Sequence, residues 1–180
     1  TRDGGRTWTN MVGNVTGLPK ASWVSWVEAS RYDAGTAYAA FDRHTFGDMT
    51  TWVYRTTDYG KTWTRLADRG VRGYAHVIKE DTVKKDLLFL GTEFGLWISI
   101  DAGKTWAQFK GHDFPDVAVR EVQVHPREHD LVIATHGLGI WIIDDLTPLR
   151  ALTAVTFQEQ TAFLPGRPVQ QRMPASGGWG

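Results

Sequence analysis

The chain has 180 residues with 20 basic and 20 acidic side chains, enough for a real core but with no net field to gather nucleic acid or an anionic bilayer. It has no cysteine, which excludes disulfides, thiol nucleophiles and thiolate metal sites, and its apolar runs are too short to insert across a membrane. Nine Trp beside 19 Gly favour short aromatic strands joined by tight turns, so the class is all-β.

The chain opens on TRDGGRTW at 1–8, and versions of that string return as TTDYGKTW at 56–63 and SIDAGKTW at 99–106. The aspartates Asp3, Asp58 and Asp101 are spaced by 55 and 43 residues, close to the ~40–50 residues of one propeller blade. The string begins inside a box and leaves only the outer strand of that blade, around 8–12, so the chain reads as part of a longer propeller. In the first complete unit the strands are expected at 23–29, 36–41, 51–56 and 62–66, with an inserted loop at 42–51 that accounts for the longer step. In the second they are expected at 75–79, 87–91, 96–99 and 105–109. The third offers 120–124, 131–135 and 140–143, then a single helical turn at 147–152, with 154–163 either a fourth strand or an exit from the sheet. Sliding the second unit forward by 44 residues lays Asp86-Leu87 on Asp130-Leu131, Gly95 on Gly139 and Asp101 on Asp145. Asp145 is therefore the relic of a fourth box whose Gly has been replaced.

The architecture expected is a β-propeller fragment of about three four-stranded blades. Residues 1–149 form the blades: a partial one at 1–20 and others at about 21–68, 69–112 and 113–164. Residues 165–180, rich in Pro, Gly and Gln, form an exit arm or linker.

Within each box the carboxylates of Asp3, Asp58 and Asp101 are expected to accept backbone N–H groups of their own turn. Gly5, Gly60 and Gly103 supply a positive φ, and Trp8, Trp63 and Trp106 start the outer strand and bury their rings between sheets. Identical copies in successive blades cannot all converge on one substrate, so the boxes are read as scaffold and no catalytic residue is assigned.

Glu93 and His136 end equivalent second strands and are the candidate ligand contacts on one rim of the tunnel. His125, His129 and His136 with Asp130 have the right chemistry for zinc, but their spacing along a strand end and turn does not converge, so no metal or cofactor is assigned. Adjacent Asp144 and Asp145 point to opposite faces and cannot share one bond. Glu28 is the other carboxylate open to an acid–base reading. Trp23, Trp26 and Trp52 offer either a sugar-stacking platform or core between blades, and Gly137-Leu138-Gly139 lacks the Lys-Ser/Thr of a phosphate loop.

The box residues, with the phrases WVSWVEASRYDAGTAYAAFDRH, LFLGTEFGLWISIDAGKTW and LVIATHGLGIWIIDDLTPL, make the chain resemble the C-terminal part of bacterial sortilin-type propeller proteins. These carry BNR (Asp-box) repeats and are often called glycosyl-hydrolase-like. The resemblance covers Thr1 to about Leu149. It implies inner strands lining a tunnel, boxes on the peripheral turn between third and fourth strands, and a secreted or periplasmic location. It carries over no catalytic residues, since the fold also hosts sialidases, xyloglucan-cleaving enzymes and sortilin receptors. The expected function is a non-catalytic recognition or scaffold module, with a fragment of a secreted polysaccharide hydrolase as the alternative. Its partners would be the remaining blades or another copy of the chain, plus a protein, peptide or glycan ligand.

Overall fold

A computed structural model describes residues 1, 3–67 and 70–168, and for His112 the backbone alone. The blade boundary expected at 68/69 and most of the exit arm, 169–180, lie outside the described residues.

The strands form three antiparallel sheets, each laid down in chain order. The first holds β1 (Trp23–Ala29), β2 (Ala37–Arg43), β3 (Asp48–Thr56) and β4 (Thr64–Arg65). The second holds β5 (Ala75–Glu80), β6 (Leu88–Thr92), β7 (Gly95–Ser99) and β8 (Ala107–Gln108). The third holds β9 (Val119–Val124), β10 (Leu131–Thr135) and β11 (Ile140–Ile143). The first strands β1, β5 and β9 pack side by side, so the sheets stack face to face around their inner strands. The all-β propeller expectation is borne out.

Burial explains the run Leu87-Leu88-Phe89-Leu90. The second sheet is covered on both faces, so its strands need no polar alternation, and every residue of β6 is buried. Leu88 and Leu90 enter the core shared with the first sheet, while Leu87 and Phe89 enter the core shared with the third. Gly91 marks the closest approach between sheets: a Cβ there would lie 2.6 Å from the Val119 carbonyl oxygen. In the third sheet β10 alternates, with Leu131 and Ile133 buried and Val132 half-buried, because only one face is covered.

Charges also bridge the first seam. Glu80 is buried and accepts the hydroxyls of Ser30 (3.0 and 2.9 Å) and Tyr38 (3.0 Å) and the Arg31 N–H (2.9 Å), all from the first sheet. Next to it, fully buried Asp81 receives two bonds from Arg150, at 2.9 and 2.8 Å. Arg150 stands on α1 (Thr147–Ala151), whose first turn tolerates Pro148 because the N–H there has no helical partner.

Four details differ from the expectations. The 42–51 insertion is a longer hairpin: β2 runs to Arg43, β3 starts at Asp48, and a 3-10 turn with Gly47 at φ 73° joins them. Among the described residues the third sheet has three strands, because 152–168 leaves it without pairing. No strand follows Trp8, which is exposed; the chain instead makes a 3-10 turn at Val12–Asn14. Finally, Thr92 pairs with Ala75 and Thr135 with Val119, so the counterpart of Leu131 is Leu88, one residue beyond the alignment by sequence. The third unit has a shorter turn before β10 and a longer hairpin after it.

Candidate ligand-binding rim

Each inner strand carries one extra residue relative to its neighbour, a β-bulge. Ser25 lies between the pairs Val24↔Phe41 and Trp26↔Ala40, and His76 between Ala75↔Thr92 and Val77↔Gly91. Arg120 lies between Val119↔Thr135 and Glu121↔Ala134. A bulge leaves its extra residue out of the ladder and re-aims the side chain, and here the re-aimed groups link the sheets. Ser25 donates to the Ala75 carbonyl at 2.8 Å, and Arg120 donates to Nδ1 of His76 at 3.3 Å.

The hairpins joining second to third strands rise at this same end. Glu93 and His136 begin two of them, and their N–H groups donate to the Tyr74 and Ala118 carbonyls, at 3.1 and 2.9 Å. His76 Nε2 meets Glu93 at 2.9 Å, and a second guanidinium nitrogen of Arg120 reaches His136 Nδ1 at 3.2 Å. With both Nδ1 atoms accepting from Arg120, His76 carries its proton on Nε2 and donates it to Glu93. The first sheet adds His44, stacked on Tyr74 with centroids 4.7 Å apart and tied to Asp42 at 2.6 Å; Tyr74 meets His76 edge-on at 4.7 Å.

The electrostatics agree with that protonation. Burial pushes the His76 pKa down, so the ring is neutral. Burial pushes Glu93 up, but the bonds from His76 and Tyr74 and the Arg120 charge outweigh it, and its pKa lies below the usual range. The rim therefore offers an exposed guanidinium, exposed His136 and His44, and a half-buried carboxylate in one connected row. Glu93 and His136 are brought to one site, as their repeat positions implied. Sequence reasoning missed His76, Arg120, Tyr74, His44 and Asp42, although the 44-residue step that aligns Gly95 with Gly139 also lays His76 on Arg120.

The boxes occupy the opposite end. In each, a Thr N–H and hydroxyl donate to the aspartate: Thr7 to Asp3 (2.9 and 2.6 Å), Thr62 to Asp58 (2.9 and 2.7 Å) and Thr105 to Asp101 (2.9 and 2.7 Å). The first residue of each box accepts the glycine N–H at 2.8 Å, with Gly5, Gly60 and Gly103 at φ 91°, 82° and 85°. The Thr7 bonds hold Asp3, and the Thr62 bonds Asp58, at a pKa of about 2. Trp63 and Trp106 are half-buried against core clusters, the latter donating to the Leu66 carbonyl at 3.2 Å, whereas Trp8 is exposed and donates to the Gly5 carbonyl at 3.0 Å. Asp145 at φ 56° accepts the Thr147 and Arg167 N–H groups instead.

The remaining candidates separate. His125 and His129 flank the turn before β10, at the box end, whereas His136 is on the rim, and among the described residues no group of three His, Cys, Asp or Glu could hold a metal. Asp144 is exposed, and Glu28 is paired with Lys79 at 3.0 Å. Trp26 and Trp52 pack on opposite faces of the first sheet, so they form no common platform with exposed Trp23. No helix among the described residues is long and apolar enough to cross a membrane.

Comparison with known proteins agrees with this architecture. The GH74 enzyme of Niastella koreensis superposes with a TM-score of 0.55 at 20% identity, over 68% of this chain and 21% of that one. A structure described as YCF48 bound to D1 peptide gives 0.53 at 18%, over 79% of this chain and 43% of that one. These likenesses are of fold. The vacuolar protein sorting/targeting protein 10 of Mycosarcoma maydis is 37% identical over 57 residues, which is 32% of this chain and 4% of that protein. This chain thus spans under half the length of each of these relatives. A family model described as Sortilin-Vps10 (Sortilin, neurotensin receptor 3) matches residues 51–144, from β3 to the end of β11. That match takes in more than half of the sequence, and the chain belongs to the Sortilin-Vps10 family as a β-propeller fragment.

Proposed function

We propose that the chain is a non-catalytic recognition module whose ligand, a protein, peptide or glycan, binds the rim formed by Tyr74, His76, Glu93, Arg120 and His136. The observation that carries this reading is the Arg120 guanidinium, which stands at an inner-strand bulge and bridges His76 and His136 while remaining exposed. Such a row pre-positions donors and an acceptor before a ligand arrives, which lowers the ordering cost of binding. The box residues Asp3, Gly5, Trp8, Asp58, Gly60, Trp63, Asp101, Gly103 and Trp106, and the relic Asp145, belong to the scaffold in this reading. The neighbour described with a bound peptide and the family kinship support recognition and a place in a secretory, secreted or periplasmic setting.

A hydrolase reading needs a carboxylic acid whose pKa is raised. Glu93 is held in the opposite direction by its partners. Val24 and Val27, on the outer face of the first sheet beyond the part that Val15 and Leu18 cover, and Ile140 and Ile142 on the third sheet are exposed apolar surface. In our reading further blades or a second copy of the chain cover them.

Screening the intact chain on a glycan array, a displayed peptide library and a panel of polysaccharides tests the proposal. Binding without hydrolysis, weakened at least about tenfold by Arg120→Ala and unchanged by Asp58→Asn, is the expected result. Turnover of a polysaccharide, or binding indifferent to Arg120, overturns it.

A further inference from the structure

Beside its polar row, the rim carries an apolar residue at the tip of each hairpin. The three hairpins that join second to third strands begin at equivalent polar residues, His44, Glu93 and His136, and each then presents an exposed apolar side chain, Phe46, Phe94 or Leu138. Neither the core nor the turns call for them. Two-residue hairpin loops favour Asn, Asp and Gly, yet Glu93-Phe94 joins β6 to β7.

The tips are also fixed in place. Arg43 lies over the Phe46 ring, 4.7 Å from its centroid. The Phe94 N–H donates to the Thr92 hydroxyl at 3.2 Å, and its carbonyl accepts from Gln108 at 2.7 Å. The Leu138 carbonyl accepts from Trp141 at 3.2 Å. Apolar groups held at set points lose little freedom when a ligand is laid on them.

A cation stands between the second and third tips. Arg120 donates to His76 and His136 and forms no ion pair among the described residues, whereas the carboxylates of the row, Asp42 and Glu93, are already held by His44 and His76. Because its Nδ1 accepts from Arg120, a neutral His136 carries its proton on Nε2, which makes it a second exposed donor beside the guanidinium. Two donors so placed suit a carboxylate.

The geometry points to an extended peptide as the ligand, with an apolar side chain at every third residue and an acidic side chain between two of them. This rests on the rim as the binding site proposed above and names what the rim takes. Packed sheets lie ~10 Å apart, and a polyproline II segment, at about 3.1 Å per residue and three residues per turn, presents the same face every ~9 Å. A β-strand returns to one face every ~7 Å and falls out of step with the tips. One turn of the peptide meets each tip, with its apolar side chains on Phe46, Phe94 and Leu138 and its acid on Arg120 and His136. Exposed aromatic rings are the surface on which proline-rich segments dock.

The test is an NMR titration of the isotope-labelled intact chain with the end-blocked peptide Leu-Pro-Pro-Leu-Pro-Glu-Leu and its reversed sequence, which cover both chain directions. The blocked ends leave the glutamate as the one carboxylate. Saturation below about 1 mM is expected for one of them, with amide shifts at Phe46, Phe94, Arg120 and Leu138. Replacing the peptide glutamate by Gln, rearranging the same residues with Leu at every second position, or changing Arg120→Ala should each weaken binding at least about tenfold, and the Gln change should cost little against Arg120→Ala. The two peptide changes do not depend on any variant folding. Failure of both peptides, while a glycan or another peptide shifts the rim amides, overturns the polyproline assignment and leaves rim recognition standing. Equal binding by the rearranged peptide also overturns it. Shifts confined to the box turns overturn both.

Discussion

Arg120 and His76 are the extra residues of two neighbouring inner strands, and the bond between them, 3.3 Å from guanidinium to Nδ1, joins the second sheet to the third at the rim. A group needed at the seam is thus supplied by a break in the ladder. The same bond fixes the protonation of His76 and, through it, the ionised state of Glu93.

That coupling sets a pH dependence. Burial holds the folded His76 pKa below its ordinary value of 6.5, so the unfolded chain takes up this proton first. The stability associated with a neutral His76 is complete above about pH 6.5 and is lost as pH falls toward the lower folded pKa. Urea midpoints should drop between about pH 7.5 and 5.5, and His76→Gln should flatten that slope.

The boxes should behave as turns. Asp101→Ala removes the acceptor of Thr105 and Ser99 and is expected to cost about 1–2 kcal/mol, lowering the melting temperature while leaving the rim unchanged. Carboxyl NMR should place the Asp58 midpoint at about 2, against 3.8 for the free group. Because the folded value is depressed, that contribution is present above pH 3.8 and is lost as pH falls toward 2.

Glu80 fastens the first seam. Glu80→Ala strands the Ser30 and Tyr38 hydroxyls and the Arg31 N–H, at an expected cost of about 2–4 kcal/mol in denaturant unfolding. Hydrogen exchange should show β1 and β5 loosening together.

Gly91 controls the second seam. A methyl group there meets the Val119 carbonyl and the Val77 and Val119 side chains within 3 Å, so Gly91→Ala should destabilise by about 1–3 kcal/mol through overpacking. Guanidinium unfolding measures this directly, and the exchange of β9 amides should rise with it.

Strands and turns were legible because their signals are local: apolar bursts between Gly, Asp and Pro, and a box whose acceptor and donors lie within five residues. Glu93 and His136 were legible because a repeat brings equivalent positions to one end of the stack. His76 and Arg120 were hidden by the bulges, since a one-residue irregularity in pairing leaves no pattern in a single strand. The 42–51 hairpin read as a loop because Gly47 and Asp48 are turn formers, yet Arg43 pairs with Asp48 across it. Asp145 marked a box position, but the residues after it, Thr147 and Pro148, favour the start of α1 and forgo the strand.

The most direct test is an NMR titration of the isotope-labelled chain with the tightest peptide or glycan from the screen. Amide shifts at Tyr74, His76, Glu93, Arg120 and His136, lost in Arg120→Ala and retained in Asp101→Ala, are the result predicted. Shifts confined to the turns at 57–62 and 101–105, with the rim unmoved, would contradict the division of the molecule into a recognition end and a scaffold end.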